Sequence, residues 1–183
     1  TMVFGFPGRT KRFMTSHGLK LEVNQLNKSR IKLRNDKLNL WKAEMDKDAA
    51  TRIKYASKYA STANYYKYSI GQNEGIKRMK TIEGKIVDED KFQNWADADP
   101  TRKATYGNVL SDMADAYATI EKYNLGNVYL NEAVLGTEAL MMAYRMTSLY
   151  NALKSNNEAA AKKAVEDLQP RVDAFFKDYY MPV

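Results

Sequence analysis

The sequence contains no cysteine, only four prolines, nine glycines and a single histidine among 183 residues. The absence of cysteine excludes disulfide bonds, thiolate zinc sites and cysteine nucleophiles. The scarcity of proline and glycine, beside abundant helix-forming residues, favours long helices. There is no long uncharged run and no basic-then-apolar leader, so we expect no membrane-spanning segment. We therefore expect either a cytosolic protein or a segment of a longer, exported one.

Apolar residues make up 44% of the chain, which is typical of a globular protein and argues against disorder. The net charge of +7 is unevenly distributed. Residues 1–91 carry 20 Lys and Arg against 10 Asp and Glu, and residues 92–183 carry 9 against 12, which together make the 29 and 22 of the whole chain. A basic half is compatible with nucleic-acid binding, but these basic residues are scattered, as on solvated helix faces.

The first fourteen residues differ from the rest of the chain. Met2–Phe4 is apolar, Gly5–Gly8 is a turn cluster, and Arg9–Phe13 alternates between polar and apolar residues. This pattern predicts a strand, a turn and a second strand over residues 1–14.

From Thr15 onward the apolar residues recur at helical spacing. We predict a mainly α fold, an antiparallel bundle of about five long helices with a short N-terminal β remnant. Helix starts are predicted at the caps Thr15 or Ser16 and at Asp99-Pro100. A break or kink is predicted at Asn27–Ser29, and Gly71 and Gly75 predict either a kink or a tolerated pair of glycines rather than a stop. Helix ends are predicted at Tyr123–Gly126 and at Ser155–Asn157, and a bend is predicted at Pro170.

The chemistry needed for hydrolysis is incomplete in this sequence. His17 is the one histidine and has no matched ligand or nucleophile, so we interpret it as structural or exposed. There is no Gly-x-Ser-x-Gly motif and no glycine-rich phosphate loop. The acidic run at residues 88–90 is typical of an exposed turn of helix. We predict no catalytic residue, no metal site and no cofactor.

A tyrosine-rich stretch, Tyr55–Tyr68, is the most distinctive part of the sequence. Tyrosines at helical spacing are usually packing residues, and the alternative is an aromatic wall beside a ligand. Within the stretch, Asn64 occupies a helix interior, where asparagine has low propensity. Its amide both donates and accepts hydrogen bonds, so it is either solvated or orients a polar ligand group.

Four segments carry a resemblance to a known family. Phe4–Thr10, Arg30–Arg34, Arg52–Lys67 and Phe175–Tyr180 resemble the bacterial dipeptidyl-peptidases of types seven and eleven, serine peptidases of family forty-six. The resemblance extends over almost the whole chain, and the tyrosine block is its most specific part.

The resemblance implies a chymotrypsin-type double β-barrel capped by an inserted helical domain. Residues 1–14 would end the first barrel, and residues 15–183 would form part of the cap. The catalytic His, Asp and Ser would lie outside this chain. The resemblance further implies a homodimeric parent that is periplasmic, secreted or on the cell surface. Its partners would be oligopeptides with a free N-terminus and the barrels of the parent chain, without nucleic acid or membrane insertion.

The resemblance also gives Asn64 a role, because the family has an asparagine at the matching place that reaches the substrate's α-amino group. Two departures lie away from that position: Ser16-His17-Gly18 differs from the family's usual start, and Tyr68 replaces a commonly polar residue. Two alternatives from other classes stay open, a basic helical nucleic-acid-binding module and a structural scaffold without a ligand. Preference for the side chain before the cleaved bond also stays open.

Overall fold

The computed structural model describes residues 13–178, and over this range it is helical with no strand. The predicted mainly α class is confirmed, whereas the antiparallel bundle stays a prediction. The predicted β remnant falls on residues 1–14, of which 1–12 lie outside the described range. The α-helices within that range are α1 Ser16–Leu21, α2 Asn27–Met45, α3 Ala49–Arg78, α4 Thr81–Asp97, α5 Pro100–Tyr106, α6 Val109–Tyr129, α7 Glu138–Arg145, α8 Thr147–Lys154 and α9 Glu158–Asp178. Two π-helical turns, Glu22–Leu26 and Leu130–Val134, follow α1 and α6.

The predicted helix starts are confirmed, and side-chain caps explain them. The Thr15 hydroxyl accepts a hydrogen bond from the Gly18 amide at the start of α1. At the start of α5, the Asp99 carboxylate accepts from the Arg102 amide at 2.9 Å, and Pro100 occupies the first helical position. Both caps satisfy amides that the first turn of a helix leaves without partners.

The prediction that Gly71 and Gly75 do not stop the helix is confirmed, because α3 continues through both glycines. The Gly75 carbonyl still accepts from the Met79 amide at 2.9 Å, and the break comes at Lys80, whose φ is 49°. A glycine lowers helix stability without removing a hydrogen bond, so it does not by itself end a helix. A left-handed residue such as Lys80 does end one.

The end predicted at Tyr123–Gly126 is wrong. Helix α6 continues to Tyr129 and then widens into the π-helical turn, where the Leu135 amide bonds to the Leu130 carbonyl at 2.8 Å. The end predicted at Ser155–Asn157 is confirmed, since α8 stops at Lys154. Pro170 lies inside α9, and the bend predicted there stays a prediction.

The break predicted at Asn27–Ser29 is replaced by a continuous helix. The irregularity lies just before it, in the first π-helical turn. Asn27 is 1% exposed, and its amide nitrogen donates to the side-chain oxygens of Gln72 at 2.8 Å and Asn73 at 2.9 Å. Asn27, which in the sequence suggests a break in the helix, is therefore a buried residue whose hydrogen bonds connect α2 to α3.

The chain divides into two compact units, each formed from two stretches of sequence. The first contains Thr1–Lys28 and Ile70–Asn124, and the second contains Ser29–Ser69 and Leu125–Val183. Inside the first, α1 packs against α4 and α4 packs against α5; inside the second, α7, α8 and α9 pack together. The division falls within helices, so helical periodicity does not signal it.

In the first unit, a long-range hydrogen bond stabilises the start of α1. Glu89 of α4 accepts from the Ser16 amide at 2.6 Å and from the Ser16 hydroxyl at 2.7 Å. A carboxylate is favoured at a helix N-terminus by the helix dipole and by the free amides. Of the acidic run at residues 88–90, Asp88 and Asp90 are exposed as predicted, but Glu89 is half-buried. No described helix combines the length and the hydropathy needed to cross a bilayer.

Candidate functional site around Asn64

Asn64 lies on the exposed side of α3, in the second unit. Within residues 13–178 its side-chain amide makes no hydrogen bond, so both its oxygen and its nitrogen are available to a ligand. Small residues, Ala60 and Ser61, lie one turn before it on the exposed surface. The surroundings of Asn64 therefore leave room for a polar group to approach the amide.

The tyrosines of α3 divide into two sets. Tyr55, Tyr59 and Tyr66 are half-buried, and the Tyr66 hydroxyl donates to the Asn35 side chain of α2 at 3.3 Å. Tyr65 is 57% exposed and Tyr68 is 60% exposed. The first set packs, as the packing interpretation expects, whereas the second set is exposed and its role as an aromatic wall beside a ligand stays a prediction.

Arg34 of α2 fixes the backbone of α3 next to Asn64. Its Nη1 donates to the Tyr65 carbonyl at 3.0 Å and to the Ser69 hydroxyl at 3.4 Å. Its guanidinium lies 5.7 Å from the centroid of the Tyr65 ring. The Ser69 hydroxyl also donates to the Tyr65 carbonyl, at 3.2 Å. The residue that follows Asn64 is thus held through both its carbonyl and its ring.

The other side of the Arg34 guanidinium binds Glu132, in the second π-helical turn. Arg34 Nε donates to Glu132 Oε2 at 3.1 Å, and Nη2 donates to Oε1. The two side chains are only 15% and 17% exposed. A paired guanidinium and carboxylate in this geometry give directional, charge-assisted hydrogen bonds. Arg34 therefore joins α2, α3 and the π-helical turn through one planar group.

Lys37, one turn after Arg34, caps the same π-helical turn. Its Nζ donates to the Glu132 carbonyl at 2.7 Å and to the Gly136 carbonyl at 3.4 Å. These carbonyls lie where the helix ends and leaves acceptors without amide partners. Burial lowers the pKa of Lys37, the Glu132 carboxylate opposes that change, and the Arg34 guanidinium adds to it. Burial therefore makes the charged form of Lys37 less favourable than it is in water, and the Glu132 carboxylate offsets part of that effect.

Lys58 of α3 lies on another side of the helix and forms an ion pair with Glu138, the first residue of α7. Its Nζ is 5.5 Å from the centroid of the Trp41 ring, which in turn contacts Tyr55 at a centroid distance of 6.0 Å. Burial, and after it the charge of Lys37, lower the pKa of Lys58 from its ordinary value of 10.5 to about 8.

The remaining candidates do not form a reaction centre. His17 is exposed at the start of α1, as expected. Within residues 13–178, no group of three His, Asp or Glu side chains is close enough to hold a metal ion. Several basic residues pair with acidic neighbours on the surface, such as Lys42 with Asp46 at 2.7 Å and Lys103 with Asp97 at 3.2 Å. Such pairing is typical of solvated helix faces.

Sequence reasoning singled out Asn64 but missed the residues that support it. Arg34 falls within a segment that carries the family resemblance, yet its partners Glu132 and Tyr65 lie far away along the chain. The spacing of Arg34 and Lys37 places both on one side of α2, which is the only local signal. No feature of the sequence indicates that the side of α2 carrying Arg34 and Lys37 contacts the π-helical turn at Leu130–Val134.

Comparison with known proteins identifies the family. The family model described as Peptidase S46 matches residues 1–183. Dipeptidyl-peptidase 7 of Porphyromonas gingivalis is 39% identical over 97% of this chain and 24% of its own length. The Asp/Glu-specific dipeptidyl-peptidase of Flavobacterium psychrophilum is 36% identical over 98% of this chain and 25% of its own length. The chain belongs to the Peptidase S46 family, which confirms the family expected from the resemblance.

The chain spans about a quarter of the length of the curated relatives that it matches. A third relative, dipeptidyl-peptidase 7 of Porphyromonas endodontalis, is 35% identical over 97% of this chain and 21% of its own length. The names of these relatives refer to two kinds of dipeptidyl-peptidase, so similarity of this region does not select one specificity.

Proposed function

We propose that this chain is a substrate-binding helical region of a serine dipeptidyl-peptidase, and that Asn64 binds the α-amino group of the peptide substrate. The observation that carries the proposal is the exposed amide of Asn64, which makes no hydrogen bond within residues 13–178, on a helix whose backbone is fixed one residue away by Arg34. Membership of Peptidase S46, and relatives named as dipeptidyl-peptidases, support the peptide as substrate.

The chemistry of an amide suits this task. An ammonium group that leaves water for a closed cleft needs acceptors in place of water. The Asn64 oxygen provides one without placing a second charge in the cleft, as a carboxylate would. A hydrogen bond to a charged group contributes about 1.5–3 kcal/mol, equivalent to about 10- to 100-fold in affinity.

An anchor at a fixed distance from the cleaved bond also sets the length of the product. If the amino terminus is held by Asn64, the bond that reaches the nucleophile is always the same number of residues away. Release of dipeptides follows from that distance, whatever side chains the substrate carries. In this proposal the bond-breaking Ser, His and Asp belong to chymotrypsin-type barrels outside these 183 residues, and the helices cap the cleft.

The location proposed for the whole protein, in the periplasm, outside the cell or on its surface, agrees with a role in degrading oligopeptides. A homodimeric parent is part of the same proposal.

The proposal is tested by Asn64→Ala in the full natural reading frame that contains this chain. We expect kcat/KM for a peptide with a free amino terminus to fall by about 10- to 100-fold, the value of one hydrogen bond to an ammonium. Asn151→Ala is the matched control, because Asn151 is also an exposed asparagine within a helix of the second unit. Unchanged kcat/KM in Asn64→Ala would show that the assigned role is wrong.

A further inference from the structure

A second candidate site lies in the second unit, away from Asn64. Helices α7 and α9, with the turn that precedes α7, enclose an open cleft of about 780 Å³. This volume is within the range of roughly 300–1,000 Å³ found for small-ligand sites. The apolar residues of its lining are Leu135, Met141, Met142, Pro170, Ala174 and Phe175.

The charges around this cleft do not balance. Lys58 pairs with Glu138, and Asp167 pairs with Lys163 outside the cleft, at 3.4 Å. The two remaining charged residues are Arg145, at the end of α7, and Arg171, within α9.

Across residues 13–178, neither Arg145 nor Arg171 makes an ion pair. Both side chains belong to exposed residues that line the cleft. The cleft therefore presents two uncompensated positive groups above an apolar lining, an arrangement that is complementary to a negative group on an apolar body.

Guanidinium groups bind carboxylates through two parallel hydrogen bonds, which fix orientation as well as charge. Methionine side chains such as Met141 and Met142 adapt to apolar groups of different shape. We propose that this cleft binds an apolar carboxylate of the kind that the C-terminal residue of a peptide provides, with Arg145 and Arg171 on the carboxylate and the apolar lining around the side chain.

This cleft is distinct from the surface that carries Asn64. Lys58, the one residue of α3 that lines the cleft, precedes Asn64 by six residues. Six residues at about 100° each make about 600°, which leaves the two side chains about 120° apart around the axis, so they lie on different faces of α3. The proposed carboxylate site and the proposed amino anchor therefore depend on different residues, and either proposal can be wrong while the other is right.

The test is a titration of the full natural protein that contains this chain with N-acetyl-alanyl-leucine and with its C-terminal amide, at low salt, by isothermal calorimetry. We expect the free acid to bind about tenfold more tightly than the amide, because only the acid pairs with the guanidinium groups. In Arg145→Gln/Arg171→Gln we expect that preference to disappear. Octanoate is titrated in the same way, as an apolar carboxylate that has no peptide bond.

A control variant removes the same charge elsewhere. Arg52→Gln/Arg78→Gln changes two exposed arginines that do not line the cleft, and it should keep the preference for the acid. Circular dichroism spectra identical to that of the unmodified chain show that each variant is folded. Any one of three results would overturn the proposal. The first is equal binding of the acid and the amide, and the second is an unchanged preference for the acid in Arg145→Gln/Arg171→Gln. The third is binding of octanoate without binding of the peptide acid.

Discussion

Arg34 and Tyr65 are joined by a 3.0 Å hydrogen bond from the guanidinium Nη1 to the main-chain carbonyl, one residue beyond Asn64. A side chain that bonds to the backbone of another helix fixes that helix in rotation as well as in distance. Because the same guanidinium binds Glu132, the direction in which Asn64 points depends on two contacts far away in sequence. The backbone beside the exposed amide is thus held by a partly buried ion pair.

Breaking this ion pair should destabilise the second unit. We expect Arg34→Met to lower the free energy of unfolding by about 3 kcal/mol, since it leaves the mostly buried Glu132 carboxylate without its partner. The double variant Arg34→Met/Glu132→Met should recover most of that loss, because no unpaired charge remains. Urea unfolding measures both, and a double variant as unstable as Arg34→Met would contradict the explanation.

Substitution of glycine by alanine should have opposite effects on stability at two kinds of position in the chain. At Gly71 and Gly126, a Cβ would meet nothing within 4 Å, so Gly71→Ala and Gly126→Ala should each stabilise by about 0.5–1 kcal/mol through helix propensity. At Gly18, a Cβ would lie 2.5 Å from the Tyr117 hydroxyl and 2.7 Å from its ring. We expect Gly18→Ala to destabilise by about 1 kcal/mol or more. The midpoint of thermal unfolding measures the stability of each variant. A midpoint lowered by Gly71→Ala would contradict the prediction.

The start of α3 should depend on pH through Asp48. Its carboxylate accepts from the Thr51 amide at 2.7 Å and from the Thr51 hydroxyl at 2.8 Å, and these bonds lower the pKa of Asp48 below its ordinary value of 3.8. A carboxyl with a lower pKa in the folded chain stabilises the fold above its unfolded pKa, and this stabilisation is lost as the pH falls through the folded pKa.

We therefore expect Asp48→Ala to lower the unfolding midpoint at pH 7, with a smaller difference from the unmodified chain near about pH 3. Asp48→Asn is the control, since its neutral side chain still caps the helix but does not titrate. Its midpoint should approach that of the unmodified chain at low pH. A difference between Asp48→Ala and the unmodified chain that does not change with pH would rule out the titration.

The caps and ends of the helices could be predicted where the signal is local. Thr15, Asp99 and the Ser155–Asn157 segment act within a few residues of their own position, and all three predictions are confirmed. The end predicted at Tyr123–Gly126 is wrong because a glycine such as Gly126 permits a break without requiring one. The helix continues whenever its hydrogen bonds and its packing are more favourable than a turn.

The supports of the candidate site could not be predicted, for a different reason. Arg34 and Glu132 are 98 residues apart, and their pairing depends on how α2 packs against the π-helical turn. The burial of Asn27 against Gln72 and Asn73 could not be predicted either, because it depends on tertiary contacts. Asn64 could be singled out because an asparagine inside a helix is unfavourable and because the resemblance covers its segment.

The most direct test of the amino anchor compares two substrates that differ only in the α-amino group. The ratio of kcat/KM for a free-amino peptide to that for its N-acetyl analogue should be measured in the full natural protein and in Asn64→Leu. We expect the ratio to fall by about 10- to 100-fold in the variant, because only the free-amino substrate loses a hydrogen bond. A ratio that stays the same while both rates change would show that Asn64 does not recognise the amino terminus.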